Sequence, residues 1–338
     1  KRTNRRTEMS IMRSTQITAD EAELYDRQIR VWGMEAQTRL RNANILIQGA
    51  GALAAEVAKN VVLAGIGKLT ILDDAIVSEE DLGAQYFLRK GDIGKKRVLC
   101  FISRLSQLNE RVQISSESCL NPSAEFFSSF DVVIITGQPL HEQVRINRIC
   151  RLGKIKFFCA DSFGMTSFFF EDLLHHDYAF TRNSTTEKEE IVKGSVDFVS
   201  LSDSLSTSWT HCWKKCFGRR ARDACSLFFA YQVVYIFEFT FQRFPDVADE
   251  SQFQNLIAIR DAELMKHGAT AEMLPDDTLR RVASHSRMEL CPVASVVGGF
   301  LAQEILKAIS FKGKPLNNWL LFGDVLDGAA IVKTVSPQ

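Results

Sequence analysis

An α/β fold with a Rossmann-like, doubly wound and mainly parallel sheet is predicted by three observations. Short apolar runs alternate with helical stretches between about residues 42 and 164. Several of those runs are apolar throughout rather than at every second position. A glycine-rich turn joins the first run to the first helix. Strands that read as unbroken apolar runs are covered on both faces, as they are when helices flank a parallel sheet.

Asn44-Ile45-Leu46-Ile47-Gln48 is the first strand, and Ala52 to Ala64 is an alanine-rich helix ended by Gly65. Lys68-Leu69-Thr70-Ile71-Leu72 is the second strand. From Lys95 to Leu108 the residues Val98, Ile102 and Leu105 fall on one helical face. Asp131 to Thr136 is an apolar strand, and Pro139 to Leu152 a helix opened by proline and closed by Gly153. Ile155 to Ala160 is another strand. The pattern then degrades: Thr181 to Glu190 is polar and turn-rich, Ser200 to Ser208 is serine-rich, and helical periodicity returns at Gln252 to Met265 and Asp277 to Ser284. Pro292 to Ser310 is a long apolar helix containing Gly298-Gly299, followed by strands around Trp319 to Phe322 and Ala330 to Val332. The expected organisation is a basic flexible tail (1–19), a first Rossmann-like part (20–180), a mainly helical insertion with a mobile entry (181–285) and a closing part of the same domain (286–338).

The 41 basic residues balance 41 acidic ones, which argues against a general nucleic-acid binder. A mean hydropathy near zero and seven prolines argue against disorder and against a membrane-embedded chain. Ser226 to Phe244 is apolar enough to consider as a span, but it carries Gln232, Glu238, Gln242 and Arg243. A charge in mid-bilayer costs about 2.5–3.5 kcal/mol, so a buried helix is expected. The eight cysteines form no Cys-x-x-Cys pair and several lie in apolar runs; they read as reduced, buried thiols of an intracellular protein. His211, Cys212, Cys216 and Cys225 have no zinc-site spacing, and no metal is expected there. His175-His176 reads as an exposed strand end.

Gly49-Ala50-Gly51-Ala52-Leu53-Ala54 follows a strand and opens a helix, which lets a phosphate approach backbone N–H groups at the helix N-terminus. Asp73 ends the next strand, where a ribose-binding acid belongs. This supports a nucleotide-binding unit and leaves open an NAD(P)-dependent oxidoreductase, or glycines that serve only close helix–sheet packing.

Four segments narrow the choice. Tyr25-Asp26-Arg27-Gln28-Ile29-Arg30-Val31-Trp32-Gly33-Met34-Glu35-Ala36-Gln37, the glycine turn, Asp81-Leu82-Gly83-Ala84-Gln85-Tyr86-Phe87 and Cys291 to Ile305 occur in that order. Together they resemble the small, Aos-type subunits of SUMO-activating enzymes, in the ubiquitin-activating, MoeB and ThiF superfamily. The resemblance covers about 20–180 and 286–335 and is weak across 181–285. It implies a partner, the large catalytic subunit, which holds ATP and Mg²⁺ and carries the thioester cysteine. It also implies SUMO as the activated modifier and the nucleus, with the cytoplasm alongside, as location. Active halves of the superfamily carry an Asp, Asn, Arg, Lys and Asp set. The matching positions here are Ala75, Asp81, Ala84, Arg97 (approximately) and Gln138 (approximately), so Gly49, Gly51 and Asp73 read as vestiges of a degenerate site. A free-standing MoeB-type adenylyltransferase is the weaker alternative. In the family the arginine of the first segment reaches across the dimer to ATP; that residue is Arg27. Lys1, Arg2, Arg5 and Arg6 are a candidate nuclear-import cluster, Lys95-Lys96-Arg97 a solvated first helical turn, and Gly298-Gly299 a close-packing point at the subunit interface or within the chain.

Overall fold

Apolar residues on both faces of the strands dictate three layers, and these are found in the computed structural model, which describes residues 17–118, 122–183, 189–207, 221–286, 288–323 and 328–332. In chain order the elements are α1 (Ala19–Leu24), α2 (Asp26–Trp32), α3 (Met34–Asn42), β1 (Asn44–Gln48), α4 (Ala52–Leu63), β2 (Lys68–Leu72), α5 (Arg97–Leu105), β3 (Gln113–Glu117), α6 (Ala124–Phe127), β4 (Val132–Thr136) and α7 (Leu140–Leu152). There follow β5 (Lys156–Phe163), β6 (Thr166–Asp172), β7 (His175–Asn183), β8 (Glu189–Asp197), α8 (Leu201–Ser206), α9 (Ala221–Phe241), α10 (Glu250–Lys266), α11 (Asp276–Ser284), α12 (Cys291–Ser310), β9 (Trp319–Gly323) and β10 (Gly328–Val332). The Lys1–Arg6 cluster, Cys119, His211, Cys212 and Cys216 lie outside the described residues.

The large sheet runs β10-β9-β6-β5-β4-β1-β2-β3. Neighbours from β3 to β5 are parallel, whereas β6, β9 and β10 continue the sheet antiparallel. Successive side chains of a strand point to opposite faces, and two cores follow. Ile45, Ile47, Ile71, Val132, Ile134 and Phe158 join α4, α5 and α12 on one face. Leu46, Leu72, Val133, Ile135, Phe157 and Cys159 join α7, α9, α10 and α11 on the other.

The helices of 181–285, which the sequence sets apart as an insertion, therefore share a core with the sheet. α9 is buried along its length from Ala224 to Tyr235: its Phe228 ring packs 5.3 Å from Trp319 of β9, and Tyr231 lies 4.7 Å from Phe163 of β5. Both long apolar helices, α9 and α12, are core helices. β7 and β8 form a separate antiparallel ribbon that touches the Phe311–Gly313 turn through backbone hydrogen bonds of Ala179.

Two details depart from the sequence reading. His176 is buried, stacked 5.0 Å from the Phe311 ring, and burial with nearby Lys156 lowers its pKa to about 4; only His175 is exposed, with Nδ1 2.6 Å from Asp197. Cys100, Cys150, Cys159 and Cys225 are buried as expected, but Cys291 is exposed at the start of α12.

Glu171 of β6 is fully buried, and neither carboxyl oxygen has a hydrogen-bond partner. Burial, reinforced by Glu304 and opposed by Lys307, raises its pKa well above the ordinary 4.5. The folded chain keeps this proton where the unfolded chain has lost it, so stability falls as pH rises above the ordinary range. Glu171→Gln should therefore melt at the wild-type temperature at pH 4 but several degrees higher at pH 7.5. Melting curves across that range check this, and parallel wild-type and variant profiles would contradict it.

Candidate functional site

In an open α/β sheet, ligands collect beyond the carboxyl ends of the strands where the strand order reverses. Here that point lies between β1 and β4. A cleft of about 320 Å³ opens there, lined among others by Gly49, Gly51, Asp73, Gln138, Asp161 and Glu289. Gly49 has φ +103°, and a Cβ at that position would collide with Thr136. The turn is braced by Gln85, buried, whose Nε2 donates to the Ala50 carbonyl at 3.3 Å.

Several of the cleft's polar groups are bonded from within the chain. Ala52 N donates to Glu289 Oε2 at 2.6 Å, and Leu53 N donates to Glu289 Oε1 at 3.0 Å. One carboxylate thus takes both N–H groups that a phosphate would use at the N-terminus of α4. Gly51 makes room for it, since a Cβ there would run into the Glu289 carboxylate. Asp73 accepts from Ala50 N at 3.1 Å and from Arg97 Nη2 at 2.7 Å. Arg97 also donates from Nη1 to Asp81 Oδ1 at 2.9 Å. Burial opposes the charge on Arg97, but the carboxylates of Asp73 and Asp81 outweigh it and hold the guanidinium protonated.

Asp161, at the end of β5, accepts from Tyr235 Oη at 2.7 Å and from Ser162 N at 2.8 Å. Burial pushes its pKa up to about 7 in spite of those bonds, with Glu289 and Glu238 adding to the rise. The cleft thus gathers acids, and Arg97, the one arginine among the described residues lining it, is already shared between two carboxylates.

The sequence singles out Gly49, Gly51, Asp73, Asp81, Arg97 and Gln138, and the fold brings these together. Arg97 is not the solvated residue that Lys95-Lys96-Arg97 suggests, nor is Asp81 a loose acid facing a ligand. Glu289 escaped notice because its partners lie 237 and 236 residues away in the chain. An acid shortly before the proline of α12 is the only local signal, and it reads equally well as a favourable charge near that helix's own N-terminus.

Arg27 lies elsewhere. It is exposed in the first turn of α2 and makes no hydrogen bond or ion pair to a described residue, because neighbouring Asp26 pairs with Arg30 at 2.9 Å. Gln28, next to it, donates to the Leu63 carbonyl at the C-terminal end of α4. At 1.5 Å per residue this anchor stands about 16 Å along α4 from the glycine turn. Beside it runs an apolar groove of about 450 Å³ between α2, α4 and α12, lined among others by Gln28, Trp32, Leu63, Val296, Phe300 and Leu306. Leu63, Val296 and Phe300 are 46%, 42% and 43% exposed. The adjacent glycines of α12 divide their work: Gly298 packs within the chain against Glu56 Cβ, while Gly299 has open space above it and lines the groove.

Comparison with known proteins agrees with this architecture. The ThiF family model matches residues 25–337. SUMO-activating enzyme subunit 1 of Rattus norvegicus is 34% identical over 348 residues, spanning 95% of this chain and 96% of the relative. The Homo sapiens subunit is 34% identical over 345 residues (95% and 97%), and that of Xenopus laevis 35% over 332 (90% and 93%). These spans take in the 181–285 segment, where the sequence motifs alone gave little. A crystal structure of E. coli MccB with succinimide has a TM-score of 0.53 at 14% identity, covering 92% of this chain and 72% of that one. One of selenomethionine PaaA has a TM-score of 0.56 at 14% identity, covering 96% and 78%. Identities that low bear on the fold alone. With a matching sheet, a matching family model and relatives aligned nearly end to end, the chain belongs to the ThiF family, alongside the subunits 1 of SUMO-activating enzymes.

Proposed function

We propose that this chain is the non-catalytic subunit of a heterodimeric SUMO-activating enzyme, in which ATP and Mg²⁺ are held by the large subunit. The observation that carries this reading is the carboxylate of Glu289 on the two N–H groups where a nucleotide's phosphate would sit. A triphosphate would have to displace a tethered anion and then lie beside Asp161 with no unpaired lysine or arginine among the described residues that line the cleft, a field that repels it. The residues present do not fit ATP. The same seat would have to receive the pyrophosphate of a dinucleotide, so the argument counts equally against an NAD(P)-dependent oxidoreductase.

The working surface in this reading is the groove at the far end of α4. An apolar face of exposed Leu63, Val296 and Phe300, with a buried and unpartnered Gln28 Oε1 beside it, is what a subunit interface core requires. Arg27 precedes the groove-lining Gln28 on α2, whose anchor on Leu63 is about 16 Å along α4 from the glycine turn. Its guanidinium has no carboxylate to neutralise it within the described chain, so it is available to a phosphate presented by the partner. A cation delivered in trans acts by offsetting charge that develops on the transferring group.

Three outcomes are expected. The chain by itself should show no SUMO-dependent ATP–pyrophosphate exchange and should acquire it on addition of the large subunit; exchange by the lone chain would refute the assignment. Arg27→Ala should slow exchange by the complex about 10²–10³-fold while leaving its elution volume unchanged, and an unaltered rate would remove the trans role. Phe300→Asp places a charge in the apolar face and should weaken association with the large subunit by at least about 30-fold. Equal affinity of wild type and variant in a binding titration would relocate the interface.

A further inference from the structure

We propose that Glu289 is a ligand supplied in cis: it occupies the anion seat of the glycine turn and, by joining the N-termini of α4 and α12, sets the spacing of the two helices that frame the docking groove. The first half of this proposal stands on geometry within the chain. The second rests on the groove being the docking face.

The seat is a built one. α4 has twelve residues and begins after Gly51, whose lack of a side chain leaves the helix without a local cap. Two of its otherwise unmatched N–H groups are met by the two oxygens of one carboxylate, at 2.6 and 3.0 Å. The space above Gly51 is shaped to that carboxylate, because a Cβ would fill it. The third N–H of the turn, from Ala50, goes to Asp73. An anion is therefore seated as a bound phosphate would be, except that the backbone tethers it. Tethering raises its effective concentration so far that dissolved anions compete poorly.

The tether has a mechanical consequence. Glu289 lies two residues before α12, and that helix likewise lacks a side-chain cap at Leu290. The carboxylate thus pins the start of α12 to the start of α4, and the contact of Gly298 with Glu56 Cβ holds the pair together further along. The groove lies beyond that contact, so its width is set from the end where a nucleotide would otherwise bind.

Chemical rescue tests the idea in the full-length chain. Glu289→Ala, in buffer free of phosphate, sulfate and carboxylates, should melt several degrees below wild type with an unchanged near-ultraviolet spectrum. Inorganic phosphate at millimolar concentration should raise its melting temperature saturably, chloride of equal ionic strength should not, and wild type should not respond. Phosphate acting on both proteins alike, or on neither, would overturn the anion seat. Should the alanine variant fail to fold, Glu289→Ser, whose shorter side chain also vacates the seat, is titrated in its place, with the same outcomes deciding. Affinity for the large subunit should fall about tenfold in Glu289→Ala, as loss of a helix cap would predict, and recover with phosphate. Rescue of melting without any change in affinity would overturn the mechanical half alone. Failure of the docking reading itself would show separately, as indifference of the same affinity to Phe300→Asp.

Discussion

The requirement that a parallel sheet be covered on both faces governs this molecule. β1, β2, β4 and β5 send apolar side chains to both sides, so neither face can meet water without exposing a core's worth of hydrocarbon. One side is closed by α4, α5 and α12 and the other by α7, α9, α10 and α11. The helical segment after the β7–β8 ribbon is thereby obligatory. Removing it would uncover Phe157, Phe163, Phe168 and Trp319 together, aromatic surfaces of roughly 150–250 Å² each when stripped of their partners. The same requirement explains why α9 and α12 pass for membrane spans by composition, since a helix enclosed in a core meets nearly the same selection for apolar residues as one enclosed in lipid.

Electrostatics at the switch point form one connected system. Arg97 is held between Asp73 and Asp81, and Glu289 sits at the positive end of α4. Each charge is met by an opposite charge or by backbone donors, which buried ionic groups need if they are not to destabilise the fold. An active nucleotide site differs in leaving donors and cations unsatisfied until the ligand arrives. The absence of such waiting groups among the described cleft residues separates the two kinds of site better than the glycine pattern does. Asp161, with its pKa near 7, belongs to the same system: burial, with Glu289 and Glu238 nearby, favours its protonated form in spite of the bonds from Tyr235 and Ser162.

Much of this was legible in the sequence, and the parts that were not have physical reasons. The strands β1, β2, β4 and β5 announce themselves because burial on both faces leaves unbroken apolar runs. β3 reads Gln-Ile-Ser-Ser-Glu and lies at the sheet edge with mostly exposed or half-exposed side chains, so burial imposed no pattern to read. The β7–β8 ribbon was hidden for the same cause, since a two-stranded ribbon is largely wet and its polar residues look like those of a loop. The positions of Asp73, Asp81 and Arg97 could be picked out one at a time, but their pairing could not, because it depends on how the turn after β2 folds back upon α5. Glu289 was invisible, as any contact spanning most of the chain must be without the fold.

The glycine turn itself shows why a motif underdetermines a function. Gly49 is required because φ is +103° and Thr136 leaves no room for a Cβ. Gly51 leaves room for a carboxylate of the same chain that lies against it. Neither reason involves a nucleotide. Replacing the phosphate by Glu289 leaves every steric demand on the turn in place, so a chain that has exchanged one anion for the other keeps the glycines intact. What changes is the identity of the anion and the tether that holds it, and those are written hundreds of residues away, at the entrance to α12.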